Sequence, residues 1–361
     1  SEINTSTDIT SIDNKSLFMV VSSFDKGPED LREIEGTDFA NLYGTMYFSK
    51  HGQNAIQAQN IINAGGKLLV KRVCAEDSKI ANVVFVATVK SKEVNKTDAE
   101  GNNLYIGADG EETTEVTENP VKVKVNTISW EAKSYDNCKT FAEVKTEALK
   151  LLNAENGVFP LFVFTDNGRG VSNKAIRLIP DYSTSKSIGK MFYTLAVYEG
   201  TATIEQTVIT FDPDVIYNNQ AYGLDTNVCE QINGEVIDTV YDAYIAKLAE
   251  LTSTTVDEVK VNDLIFGYTY KGNILDSLSI DGESTDLNAS YGIELKDGSN
   301  GAFGEAPVNT SAWTEAIRAV FAGEVTDEIY DVDTHKVVAI LDANFPQEIK
   351  DAISNFVTFR K

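Results

Sequence analysis

The stretch of sequence that decides the fold covers residues 17–73, LFMVVSSFDKGPEDLREIEGTDFANLYGTMYFSKHGQNAIQAQNIINAGGKLLVKRV. It opens with Leu17 to Val21, an apolar run typical of a buried strand, and closes with a second such run, Lys67 to Val73. Thr37 to Tyr43 is predicted as a short capped helix, and Gln53 to Asn63 as a longer helix. A strand, a helix and a strand in this order predict an α/β layer with a right-handed crossover.

The other end of the chain shows a similar alternation of predicted helices and strands. A helix is predicted from about Ala312 to Ala322, a strand from Val337 to Leu341, and a last helix that Pro346 opens. We therefore predict a multi-domain fold of the α+β or α/β class, with a discontinuous α/β core built from both chain ends and a β-rich inserted region. The predicted division is an extended arm at 1–15, the core at 16–75 plus 305–361, an outer β insertion at 76–135, and an inserted α+β domain at 136–304.

The middle of the chain is rich in short β-type runs. Their apolar content and the turn residues between them predict strands at Val158 to Phe164, Ala175 to Ile179, Phe192 to Glu199 and Thr203 to Phe211. Lys96 to Asn119, rich in Asp, Glu, Asn, Gly and Thr, is predicted as an exposed hairpin or mobile loop. Thr140 and Glu143 form a T-x-x-E capping box ahead of a helix, and a second helix is predicted from Glu235 to Leu251.

Composition excludes some classes of partner. The 361 residues include 55 acidic and 31 basic side chains, a formal charge of -24, which repels phosphate backbones and anionic lipid. We therefore expect no nucleic-acid partner. The cysteines, Cys74, Cys138 and Cys229, lack C-x-x-C spacing and are predicted to be free thiols. Because the longest apolar runs have the length of a strand and the first residues lack a signal-peptide pattern, no membrane insertion is expected.

The sequence carries no motif for catalysis, and no catalytic, cofactor-binding or metal-binding residue is predicted. His51 and His335 lie far apart in sequence, and neither has ligands at the spacing of a zinc site. Asn167 to Gly170 fails the G-x-G-x-x-G pattern and is predicted to be a tight turn. Asp109 to Glu112 and Asp297 to Gly301 offer oxygen ligands for calcium, but neither follows the pattern of a calcium-binding loop.

Short motifs in residues 17–73 follow one another in a particular order. A basic-Gly-Pro turn follows the first strand, a Phe-x-x-Leu-Tyr-Gly element comes next, and a helix ending in Gly-Gly precedes a strand that closes on Arg-Val. Later turns and the strand near Leu341 continue this order. In this arrangement the chain resembles contractile tail sheath proteins. The turns that carry the resemblance are Lys26, Gly27, Pro28, Gly44, Gly65, Gly66, Gly168 and Gly170.

The resemblance implies a structural subunit rather than an enzyme. Subunits of this family polymerise as stacked six-fold rings around a tail tube, and the rings contract to drive the tube through a cell envelope. The implied partners are further copies of the chain, the tail tube protein, and baseplate and tail terminator proteins. The implied location is a virion tail or a phage-tail-like particle, assembled in the cytoplasm of a bacterial host.

The resemblance also gives the first residues a role. Ile3, Thr5, Ile9 and Ile12 belong to a polar stretch that we predict to be an assembly arm, able to add a strand to the sheet of a neighbouring subunit. A loose leader is the alternative. Sheath proteins continue beyond the point that corresponds to Lys361, so the core is expected to lack its C-terminal part.

Two other functions stay open at this point. Another non-enzymatic phage or cell-surface module, structural or binding, would share the acidity and the β-rich middle. The second is a hydrolase with a carboxylate pair that no short motif marks. A pocket that holds two close acidic side chains would favour the hydrolase.

Overall fold

The computed structural model describes residues 16–181, 192–210, 212, 214–224, 229–252, 278–280, 283–284, 292–323 and 327–360. The predicted arm residues Ile3, Thr5, Ile9 and Ile12 lie outside them. The α-helices are α1 Asp38–Tyr43, α2 Phe48–His51, α3 Gln53–Asn63, α4 Phe141–Leu149, α5 Asp238–Thr252, α6 Ser311–Phe321 and α7 Gln347–Phe359. Short 3-10 helices span Gly301–Phe303 and Glu328–Tyr330.

The strands are numbered in chain order. They are β1 Leu17–Ser22, β2 Leu31–Glu35, β3 Lys67–Arg72, β4 Ile80–Asn95, β5 Tyr105–Ile106, β6 Glu112–Thr113, β7 Lys122–Lys133, β8 Val158–Arg169, β9 Lys174–Pro180, β10 Tyr193–Glu199, β11 Ala202–Ile209, β12 Ile216–Tyr217, β13 Gln220–Ala221, β14 Ile232–Val236, β15 Leu278–Ile280, β16 Glu283–Ser284, β17 Ile293–Glu294 and β18 Val337–Ile340. Helices and several sheets are thus mixed in one chain, which confirms the mixed α and β class.

The first sheet is built from both ends of the chain. Its four strands lie in the order β18, β1, β3, β2. β1 runs parallel to both β3 and β18, whereas β2 is antiparallel to β3. Leu17 pairs with Lys67 on one side and with Val337 on the other. β18 and β2 are therefore the two edges of this sheet.

Helices cover both faces of the first sheet, because successive side chains of a strand point to opposite faces. Met19 and Leu69 face the cluster that contains Trp313 of α6 and apolar residues of α7. Val20 faces the other cluster, to which α1 and α3 contribute. α3 ends as predicted at Gly65 and Gly66, whose N–H groups donate to the carbonyls of Ile62 and Ile61.

The middle of the chain forms two further large sheets around one core. A six-stranded sheet has the order β14, β8, β4, β7, β15, β16, and a four-stranded sheet has the order β11, β10, β9, β17. Apolar residues of both sheets pack together with α4 and α5. Strands from the predicted outer insertion, β4 and β7, share the six-stranded sheet with β8 and β14. The predicted hairpin region contains the short pair β5 and β6.

Three local predictions need correction. The predicted helix at Glu235 begins only at Asp238, because Glu235 and its neighbours pair with β8 as strand β14. Asn167 to Gly170 is not a tight turn, since β8 continues to Arg169. Strand β2 was not predicted, because LREIE has too few apolar residues to mark a strand. The capping box of Thr140 and Glu143 is confirmed.

Candidate functional site

Arg72, the last residue of β3, lies where the first sheet meets the six-stranded sheet. Its side chain is buried, and it donates hydrogen bonds to three backbone carbonyls: Nε to Phe24 at 3.1 Å, Nη1 to Gly27 at 2.8 Å and Nη2 to Arg169 at 2.6 Å. The first two carbonyls belong to the loop after β1, and the third lies at the end of β8. One guanidinium thus fastens the loop after β1 to the end of β8 at this junction.

An ion pair strengthens the same junction. Nε and Nη2 of Arg169 donate to the two carboxylate oxygens of Glu29 at 2.9 and 2.6 Å, and the backbone N–H of Arg169 donates to the same carboxylate at 3.1 Å. Burial alone would raise the pKa of Glu29, but the hydrogen bonds and the charge of Arg169 outweigh it and hold this pKa below its usual range. Glu29 is therefore ionised at neutral pH and holds the approach to β2 against β8.

Glycines permit the close contact of backbones around Arg72. A Cβ atom on Gly168 would lie 2.1 Å from the carbonyl oxygen of Gly27, and one on Gly27 would lie 2.6 Å from the carbonyl oxygen of Leu42. Neither distance leaves room for a side chain. The structure thus brings together three of the predicted turn residues, Gly27, Gly168 and Gly170, although they come from distant parts of the sequence.

The other predicted turn residues lie apart from this junction or at its rim. Nζ of Lys26 pairs with a carboxylate oxygen of Glu199 at 2.7 Å, which ties the loop after β1 to the end of β10. Gly44 follows α1, and Gly65 and Gly66 follow α3. That these residues belong to the turns of the family motif stays a prediction. In the sequence Arg72 stood out only as part of the Arg-Val that closes the motif order, and Arg169 only within the run from Asn167 to Gly170. Their contacts, and the part of Glu29, were not predicted, because nothing local marks contacts between residues so far apart.

The edge of the first sheet at β18 is open and apolar. No strand among the described residues pairs with the outer side of β18. Val338 is 60% exposed there, and Val357 of the neighbouring helix α7 is 53% exposed. A groove of about 340 Å³ between β18 and α7 is lined mainly by apolar side chains, among them Val337, Ile340 and Ile353. An exposed apolar edge strand is a template on which another extended segment can pair.

The opposite edge, at β2, carries charges. Arg32 pairs with Asp30 at 2.8 Å, and Glu35 pairs with Lys67 at 2.8 Å. Glu33 contacts Nδ1 of His335 at 2.8 Å. Charged side chains along an edge strand disfavour pairing with another chain, because the charges would lose water.

A cleft of about 480 Å³ near the junction tests the hydrolase alternative. Four of its acidic residues are Asp25, Asp166, Glu199 and Glu305. Three of them contact a lysine: Asp25 lies 3.4 Å from Lys50, Asp166 lies 2.7 Å from Lys174, and Glu199 is paired with Lys26. Each of these three carboxylates is paired with a lysine. A hydrolase of the predicted kind instead needs two carboxyl groups that are free to act as an acid and a base.

The two histidines are held by neighbouring groups of the protein, and the cysteine thiols are free. Nδ1 of His51 accepts a hydrogen bond from the backbone N–H of Tyr47 at 2.8 Å, and His335 lies between Glu33 and Glu328. Burial raises the pKa of the Cys74 thiol to about 11, and no cysteine among the described residues forms a disulfide. Within the ranges that the structure describes, no three His, Cys, Asp or Glu side chains are grouped to hold a metal ion, and no helix is long and apolar enough to cross a membrane.

Comparison with known proteins yields distant likenesses to solved structures, among them two sheath tail proteins. No protein-family model and no curated protein matches the chain. The chain is similar to a sheath tail protein of Listeria innocua at 10% identity, over 65% of this chain and 38% of that one, with a TM-score of 0.25. The chain is also similar to a sheath tail protein of Desulfitobacterium hafniense at 11% identity, over 67% of this chain and 41% of that one, with a TM-score of 0.23. The chain spans about two fifths of the length of each, and TM-scores this low decide neither fold nor function.

Proposed function

We propose that this chain is a non-enzymatic structural subunit that polymerises through the β18 edge of its first sheet, as a tail sheath subunit would. The observation that supports this most directly is the contrast between the open apolar edge at β18 and the charged edge at β2. An apolar edge strand that no described strand covers, beside an apolar groove, favours pairing with another chain.

The proposed occupant of the edge is the N-terminal arm of a second copy. Ile3, Thr5 and Ile9 would share one face of an extended strand, and isoleucine and threonine favour the strand conformation. Backbone hydrogen bonds to β18 would supply affinity, and the groove between β18 and α7 would accept the apolar side chains. The arm directly precedes β1, the strand beside β18, so each copy could both offer an arm and receive one.

The finer features follow from the sequence resemblance. These are stacked six-fold rings, a tail tube inside them, contraction, baseplate and terminator partners, and a place in a virion tail or phage-tail-like particle. The division into an arm, a discontinuous core and two inserted regions is part of the same proposal. In such a polymer the work of contraction would come from exchanging one set of contacts between copies for another, without hydrolysis of a fuel.

The test is self-association of the full chain, measured by sedimentation velocity over a range of concentrations. Val338→Lys places a charge on the β18 edge, and Val116→Lys is the matched control, since Val116 is 82% exposed on the distant hairpin region. We expect the parent and Val116→Lys to associate, and Val338→Lys and a chain without residues 1–14 to remain monomeric with unchanged circular dichroism. Desolvating the new lysine should cost the complex at least about tenfold in affinity.

Two results would contradict the proposal. One is a parent chain that stays monomeric at every concentration, and the other is a Val338→Lys chain that associates as the parent does. Negative-stain microscopy of the assemblies separates a sheath from another polymer, because hollow striated cylinders are expected only of the sheath.

A further inference from the structure

Lys174, the first residue of β9, is almost fully buried beside two reactive groups. Its side chain is 1% exposed, and its Nζ atom donates to Asp166 Oδ1 at 2.7 Å, to Asn167 Oδ1 at 3.3 Å and to the carbonyl of Gln231 at 2.7 Å. A buried lysine amine, a side-chain amide and a carboxylate therefore meet at one point. These are the functional groups needed to make an amide bond between two side chains.

We propose that Nζ of Lys174 attacks Cγ of Asn167 and that the two side chains become joined by an intramolecular isopeptide bond, with Asp166 as the proton carrier. The proposal concerns this cluster alone and holds whether or not the chain polymerises.

The reaction balances without an oxidant, a reductant or a further reactant. Asp166 takes a proton from the lysine, which leaves a neutral amine with a free electron pair. The bond between Nζ and Cγ forms, and the bond between Cγ and Nδ2 breaks. Asp166 gives this proton to the departing nitrogen, which leaves as ammonia, and takes up the second proton that Nζ loses as it becomes an amide nitrogen. The lysine ammonium, the Asp166 carboxylate and the asparagine are thereby converted into one secondary amide, one protonated carboxyl group and one ammonia molecule.

The surroundings prepare each group for this role. Burial lowers the pKa of Lys174, although the nearby Asp166 opposes the shift, so the neutral amine is more accessible than in water. The hydroxyl of Ser172 donates to Asp166 Oδ2 at 2.6 Å and fixes the carboxylate. Nδ2 of Asn167 donates to the carbonyl of Glu230 at 2.6 Å, which orients the amide with Oδ1 toward the amine.

The cluster also has an exit for ammonia and a mechanical consequence. The cleft of about 480 Å³ described above is lined by Asp166, Ser172 and Lys174. Asn167 belongs to β8 of the six-stranded sheet, and Lys174 opens β9 of the neighbouring four-stranded sheet. The bond would tie these two sheets together covalently. It would also replace a buried ion pair, which is costly to desolvate, by neutral groups.

The test is the intact mass of the purified full chain together with a peptide map. The expected result is a chain that lacks the mass of one ammonia and yields a branched peptide joining Asn167 to Lys174. Lys174→Arg keeps the positive charge but replaces the amine, and it should have the full mass. Asp166→Ala keeps both partners and removes the proton carrier, so it should also have the full mass.

A matched control and a competing reaction complete the design. Asn233→Ala removes a nearby amide that donates to the backbone carbonyl of Asp166, and it should still lack one ammonia. Asn167 precedes Gly168, and attack by the backbone nitrogen would also release ammonia as a succinimide forms. Ammonia loss that persists in Lys174→Arg would therefore overturn the proposal. So would a parent chain of full mass without a branched peptide after prolonged incubation, a result that needs no variant.

Discussion

The two edges of the first sheet differ in charge, although the same four strands create both. At β2 the edge carries Arg32, Glu33 and Glu35, and the approach to the strand is fastened to β8 by the pair of Glu29 and Arg169. At β18 the edge carries the apolar sequence VVAI, and no described strand lies outside either edge. The charged side chains at β2 disfavour pairing with a strand of another chain, whereas the apolar edge at β18 has no such protection.

The largest expected effect tests the fastening of the protected edge. Gly168→Ala would place a Cβ atom 2.1 Å from the carbonyl oxygen of Gly27, so the junction must open, and we expect a loss of about 2–3 kcal/mol in the free energy of unfolding. Urea unfolding measures it. Gly36→Ala is the control, because no atom lies within 4 Å of its added Cβ and its backbone strain alone costs about 1 kcal/mol. Equal losses in the two variants would mean that the close approach at Gly168 is unimportant.

The next effect concerns the ion pair at the same place. Glu29→Gln keeps the shape of the side chain but removes its charge, and we expect a loss of about 1–2 kcal/mol at neutral pH. The pKa of Glu29 is lower in the folded chain than in the unfolded one, where it is about 4.3. Its contribution is therefore fully present above that value and disappears as the pH falls through the lower, folded pKa.

The pH dependence supplies the control for this ion pair. Stability measured by thermal unfolding should fall less steeply below about pH 4.3 in Glu29→Gln than in the parent. Parallel acid curves for the two chains would contradict the interpretation of Glu29. Glu112→Gln, which removes the carboxylate of an exposed pair with Lys96, should leave the curve of the parent nearly unchanged.

A smaller effect is expected from removing the charges of the protected edge. Arg32→Val combined with Glu35→Val would make β2 resemble β18, and we expect a second mode of self-association, with affinity raised about tenfold, or about 1.4 kcal/mol. Sedimentation velocity would detect it as larger species at the same concentration. If the double variant associates no more than the parent, charge is not what protects this edge.

The smallest effect concerns the groove beside the open edge. Val357→Ser shortens an apolar wall of the groove at a position that is 53% exposed in the single chain. We expect the chain to fold with the same stability and the association of copies to weaken about threefold, or about 0.7 kcal/mol, because little apolar area is lost. A change in unfolding free energy without a change in association would place Val357 in the core instead.

Elements with a strong local pattern could be predicted from the sequence, because residues close in the chain decide them. α3 lies where the spacing of its apolar residues and the following glycines place it, and the capping box of Thr140 and Glu143 begins α4. β2 could not be predicted, since it owes its conformation to pairing with β3 rather than to its own composition. The start of α5 was misplaced for a similar reason, because β14 pairs with β8.

The candidate site could be predicted only in part. Gly27, Gly168 and Gly170 were marked by sequence order alone, and their convergence on Arg72 depends on long-range packing. Lys174 and Asp166 carry no motif, because a lysine and an aspartate near each other in sequence are usually solvated. Their burial follows from the meeting of two sheets. The family motif thus marks the glycines but not the charged groups that the glycines allow to approach.

The pairing of β1 with β18 has a consequence for the order of folding. From Leu17 to Val337, the first pair of β1 and β18, the chain advances by 320 positions (337 − 17), and a ribosome adds roughly 5–20 residues per second. Until β18 is made, β1 is paired with β3 on one side only, while the sheets of the middle region already have their described strands. The first sheet should thus be the last to close, and a nascent chain is most vulnerable to mispairing with its neighbours in the seconds before residue 340 emerges.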